Sequence, residues 1–137
     1  MDILLPQMIT LFKDQLNFVR NSDICLIPHP GVIPDGVGFP YIGLKDGNVI
    51  NHELMGDVVE QELSVEIYIY DRLGRSDKSI MGLHVKARAI RELLRDREFS
   101  GTVVSVEPAS EIPVSLLYTR NGLVVRKGLR FKYERED

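Results

Sequence analysis

Residues 58–71, VVEQELSVEIYIYD, alternate apolar and polar side chains more regularly than any other stretch of the chain. Val59, Leu63, Val65, Ile67 and Ile69 fall on one side. Glu60, Glu62, Ser64 and Glu66 fall on the other, followed by Tyr68 and Tyr70. A period of two over this length predicts a strand with one dry face and one wet or partner-covered face. The run is about twice the usual strand length. A domain of 137 residues can bury such a ribbon only in part, which points to completion by other copies or other proteins.

The rest of the sequence has the makeup of one soluble globular domain over residues 1–137, with 44% hydrophobic and 27% charged residues. A net charge of −3 gives no basic footprint for wrapping nucleic acid. No apolar run approaches the roughly 20 residues that span a bilayer. The opening MDILLPQMITLF lacks the positive start and small-residue cleavage site of a secretory signal. One cysteine, Cys25, excludes an internal disulfide and fits a reducing cytoplasm.

Apolar residues at three- and four-residue spacings predict a helix over 2–19, with Pro6 in its first turn. Asn21, Ser22 and Asp23 make a turn, and 24–27 a short strand. Residues 28–38, PHPGVIPDGVG, hold three of the seven prolines and three of the eleven glycines, and predict a loop. A strand follows over 39–45 with Pro40 at its start or at an edge, then a turn at Asp46, Gly47 and Asn48. Residues 49–57 read as irregular. After the long strand, Ser76 can cap a second helix over 77–97, whose stripe is Ile80, Leu83, Ala87, Ile90 and Leu94. Gly101 follows it. Two short strands are expected at 102–106 and 114–119, separated by Pro108 and Pro113. Asn121-Gly122 signals a type I′ hairpin into a last strand over 123–134. Leu123, Val125, Leu129, Phe131 and Tyr133 share one of its faces, with Lys127 the exception. The plan is α+β: a mainly antiparallel sheet with two helices packed on one face. Its dry face should be lined by Leu63, Val65, Ile67, Ile69, Leu129 and Phe131.

No catalytic, metal or cofactor constellation emerges, and no enzyme is expected. His29, His52 and His84 are scattered; His52-Glu53 opens like a zinc-protease helix motif, but Gly56 stands where the second histidine would be. Cys25 lies in an apolar run with no basic neighbour to activate it. Gly36, Gly38 and Gly43 have the wrong spacing for a phosphate loop. The acidic set Asp46, Glu53, Asp57, Glu60, Glu62 and Glu66 could hold a divalent metal as in small nucleases. No lysine follows at the short spacing such sites use, and a solvated or partner-facing strand surface is the simpler reading.

Charge signs carry more. The polar face of the 58–71 strand bears Glu60, Glu62 and Glu66; the polar face of the last strand bears Arg126, Arg130 and Lys132. If the strands are neighbours, opposite charges meet across the ladder, at about 0.2–1 kcal/mol per pair. If they are apart, the two faces can pair between subunits and set the register of a symmetric ring. These six residues are therefore the candidate subunit or partner interface.

Several local patterns together resemble the tail-terminator, or tail-completion, proteins of long-tailed bacteriophages and related prophages. They are the opening amphipathic helix, Phe39-Pro40-Tyr41-Ile42 before a turn, and the strand ending Ile67-Tyr68-Ile69-Tyr70-Asp71-Arg72. A Gly/Arg/Ser loop, the helix with Ile90-Arg91-Glu92-Leu93-Leu94, and the closing strand 124–133 complete the set, which spans nearly the whole chain. The resemblance implies a structural virion protein forming a homo-oligomeric ring, usually a hexamer, on the head-proximal end of the tail tube. Such a ring stops tube polymerisation and offers the head-joining surface. The implied partners are other copies of the chain, the tail tube protein and the head connector or neck protein, with DNA passing through the ring without sequence-specific binding. The implied location is the virion tail or neck, with host cytoplasm during assembly. By position, loops 28–38 and 46–57 should meet partners. The alternatives are another head–tail neck or completion protein, and a small metal-dependent nuclease on the acidic strand face.

Overall fold

The computed structural model describes residues 4–47, 49–53, 56, 59–74, 76–95, 97, 99 and 103–135. Helix α1 spans Leu4–Gln15, β1 Ile24–Leu26, β2 Tyr41–Asp46, β3 Ile50–Glu53, β4 Val59–Arg72, α2 Ser76–Leu94, β5 Val103–Thr119 and β6 Gly122–Arg135. The sheet runs β1-β2-β4-β6-β5, with β3 on β4 as well. Among the described strands, β1–β2 is parallel and the other pairings are antiparallel. The expected α+β plan is the one the chain adopts.

The alternation in β4 decides which face is covered first. Leu63, Val65, Ile67 and Ile69 are at most 5% exposed and join Val125, Leu129, Phe131 and Tyr133 of β6. Leu4, Leu5, Met8 and Phe12 of α1 and Leu83, Ala87, Ile90 and Leu94 of α2 close the same core. Burying each large aliphatic side chain is worth about 1.5–3 kcal/mol. All six expected dry-face residues are in it.

Helix α1 is shorter than its apolar spacing predicts. Leu16 N–H still reaches Phe12 C=O at 2.9 Å, but residues 16–19 leave the helix. Asn17 is a weak helix former. Just beyond, the buried Asp23 carboxylate accepts from Arg20 Nε at 2.9 Å and Gly38 N at 3.0 Å, turning the chain toward β1. Val19 keeps its core place by packing alone. Residues 2 and 3 of the predicted helix lie outside the described residues.

Two expectations fail in the strands. Part of the stretch read as irregular is β3, whose Ile50 and His52 lie opposite Glu62 and Glu60 of β4. From Asp46 to Ile50 is four steps, while their partners Val65 and Glu62 are three apart. Gly47 N–H bonds Ser64 C=O at 2.9 Å. A four-residue segment this polar is a strand because the long edge of β4 offers it partners. Asn48 of the predicted turn and residues 54, 55, 57 and 58 lie outside the described residues.

The two short strands expected near the C-terminus are one, the 17-residue β5. Pro108 and Pro113 sit within it. It is bonded on one side only among the described strands, and its register against β6 slips between Pro108 and Ser110 and between Ile112 and Ser115. An edge strand with bulges tolerates prolines that a central strand would not. Gly101 and Thr102 lie outside the described residues. The hairpin closes over Arg120 and Asn121, one residue earlier than expected, with Gly122 after them at φ +100°.

Lys127 is the exception on the core-facing side of β6, and it is 4% exposed. Its Nζ lies 3.5 Å from Glu111 Oε1, which Arg91 Nη1 also approaches at 3.4 Å. One carboxylate on β5 thus ties together β6 and α2.

Candidate interaction surface

The face of the sheet opposite the helices was expected to be wet or covered by a partner. Half of it is dry. Tyr41, Tyr68, Tyr70, Val124 and Ile27 form a second, smaller core, with Val37, Phe39, Ile112 and Leu117 against it. Tyr41 faces Tyr70 across β2–β4, and their rings are 5.8 Å apart. Burial pushes the pKa of the Tyr41, Tyr68 and Tyr70 hydroxyls up, so all three stay protonated at neutral pH.

Two glycines make room for this core. Gly43 and Gly128 stand on either side of Tyr68 in the ladder. A Cβ on Gly43 would lie 2.6 Å from Ile27 Cδ1; one on Gly128 would lie 2.8 Å from Ile112 Cβ and 2.9 Å from Tyr68 Cε1. Large side chains lie directly across the bare backbone, which explains glycine in two strands where it otherwise weakens the ladder.

The cover is the loop 28–38. Tyr70 O–H donates to Pro30 C=O at 2.7 Å. The Asn121 side chain accepts from Gly36 N–H at 3.0 Å and donates to Pro34 C=O at 3.1 Å. Arg120 pairs with Asp35 at 3.4 Å. The hairpin tip therefore holds the middle of the loop and Asp23 its end. Sequence reasoning saw Asn121 only as a turn former. Its second role depends on a segment some 85 residues away, and no local signal marks it.

The charged residues border this core. β4 and β6 are neighbours, so the opposite charges meet within one chain: Glu66 lies opposite Arg130 on one side and Lys45 on the other. Lys45 Nζ is 3.8 Å from Glu66 Oε1, and Tyr68 O–H donates to the same carboxylate. Arg126 stacks on Tyr68, 5.4 Å from the ring centroid, so it belongs to the tyrosine cluster rather than to a charge ladder. Its Nε is buried without a hydrogen-bond partner. Lys132 is exposed, opposite Ser64 on one side and Glu107 on the other. In register Glu62 faces Glu134, and Glu60 faces His52; these side chains lie outside the described ones. The inter-subunit pairing of these charges requires the two strands to lie apart. The structure gives the other case: Glu66 and Arg130 are in register within one chain.

Among the described residues, no group of three His, Cys, Asp or Glu side chains comes together as a metal site. Cys25 is half-buried, its Sγ 3.7 Å from Ser22 C=O. Larger apolar side chains stand exposed at the hairpin end and on α2: Tyr118 is 82% exposed, and Met81 and Val85 66% each.

No family model and no curated protein matches the chain. Among solved structures, it is similar to a chain from the virion of a native gene transfer agent (GTA) particle. That likeness covers 99% of this chain and 87% of the other, with a TM-score of 0.56 and 13% sequence identity.

Proposed function

We propose that this chain is a structural virion protein, a single domain that resembles phage tail terminators, and that it forms a ring capping the tail tube. In this reading the ring ends tube polymerisation and presents a surface to the head connector. The protein resides in the tail or neck of the particle and assembles in host cytoplasm. It acts by shape and contact, without catalysis. The observation that carries the reading is the likeness in fold, over almost the full chain, to a component of a gene transfer agent virion. The sequence patterns of residues 39–42, 67–72 and 90–94 add the terminator role. The joint between copies is proposed on the six charges that the sequence pattern singles out, Glu60, Glu62, Glu66, Arg126, Arg130 and Lys132.

Tail tubes assembled with and without the protein test the role directly. Its absence should let tubes run past their normal length, and its addition should stop them. Tubes of unchanged length would exclude a terminator and favour another neck component. The joint is tested by exchanging Glu66 and Arg130, as Glu66→Arg with Arg130→Glu. The exchange keeps an opposite-charge pair between positions 66 and 130 and inverts the pattern a partner meets; it also sets a cation beside Lys45 and removes the acceptor of Tyr68 O–H, so folding is verified first. A folded variant that no longer forms rings, by light scattering coupled to size exclusion, supports the joint; a folded variant that assembles like the natural chain removes it.

A further inference from the structure

The long β5 edge is guarded. Among the described strands β5 pairs only with β6, so its outer side presents backbone groups along 17 residues. A row of unpaired donors and acceptors that long invites strand addition by any extended chain, another copy above all. Yet Pro108 and Pro113 lie inside it, both exposed, and neither carries an N–H to give. Register slips adjoin both prolines, and a third falls between Val103 and Val106. Bulges bend and twist a strand, so the outer row is neither straight nor regularly spaced. Glu107 adds an exposed charge to the same stretch.

We propose that Pro108 and Pro113, with the bulges beside them, keep the β5 edge from pairing with a sheet edge of a second copy. Copies of this chain then meet through faces and loops rather than by extending one sheet. The inference stands on the strand geometry alone and does not depend on the role proposed above.

The test is Pro108→Val with Pro113→Val, followed by light scattering over a range of concentrations and by amide infrared spectra. Regained ladder donors should let the double variant associate at concentrations lower by roughly tenfold or more. New intermolecular strand signal should appear while the monomer's thermal transition persists. Adding Ala109→Lys to the double variant, a charge on the exposed edge, should disperse it again. Pro113→Val alone repeats the test with the rest of the edge intact. Variants that associate no more than the natural chain overturn the proposal. So does association that Ala109→Lys fails to reverse, since it would come from unfolding rather than from the edge.

Discussion

The two faces of the sheet are held by different means. The helix face is covered by α1 and α2 over one large apolar cluster, in which Ile67, Leu83, Ile90 and Leu129 are wholly buried. The opposite face is covered by an irregular loop that packs Ile33 and Val37 on it, and fewer of the described residues are buried there. On the first face, area removed from water supplies most of the stability. On the second, specific bonds from Tyr70, Asn121 and Asp23 hold the cover in place. A helix satisfies its own backbone before it docks; a proline-rich loop cannot, so its amides and carbonyls need partners supplied by the sheet.

Large-to-small changes should separate the faces most. Phe131→Ala on the helix face should cost about 3–5 kcal/mol in urea unfolding. Tyr70→Phe on the other face should cost about 1 kcal/mol, the value of its bond to Pro30. Equal losses would break the distinction. Next comes the space reserved for Tyr68: Gly128→Ala should destabilise by about 1–3 kcal/mol, because the new Cβ meets Ile112 and Tyr68.

The buried amine on the helix face gives a test of opposite signs. Glu111→Gln leaves Lys127 uncompensated and should cost about 1–3 kcal/mol, below the full buried-pair value because Glu111 is half-exposed. Lys127→Met should be neutral or stabilising, since an apolar side chain suits that core. A cost from Lys127→Met as large as that from Glu111→Gln would mean that the ion pair itself stabilises the strand.

Asn121→Ala probes the loop alone. It should cost about 1–2 kcal/mol, with faster amide exchange confined to residues 30–38. Exchange that rises equally across β4 would show that the loop is part of the global folding unit. The smallest effect belongs to the ladder: Arg130→Ala should lower stability by about 0.2–1 kcal/mol, less at high salt.

The strong periodicities were legible from residues alone. The alternation of 63–69 and four of the five stripe residues, Leu83, Ala87, Ile90 and Leu94, named the two sides of the main core, because a side chain's direction follows directly from strand or helix geometry; Ile80, the first of the stripe, lies in the first turns of α2 and is exposed. What stayed hidden depended on neighbours. Residues 50–53 carry no strand pattern and become β3 because β4 has an edge to pair with. Pro108 and Pro113 look like stops until β5 is seen to lie at the rim of the sheet. Among the candidate interface residues, Glu66 and Arg130 proved to face each other within one chain, and Arg126 proved to serve Tyr68.

The sequence by itself determined that β4 would be long, that one of its faces would be dry, and that two amphipathic helices would supply the cover. Tertiary structure decided what lies on the other face: a tyrosine core under a loop latched by Asn121, beside a charged ladder closed within the chain. Periodicity is a local property that survives in the string of residues. A latch between residues 36 and 121, or a proline's place at an edge, exists only after the strands have found their order.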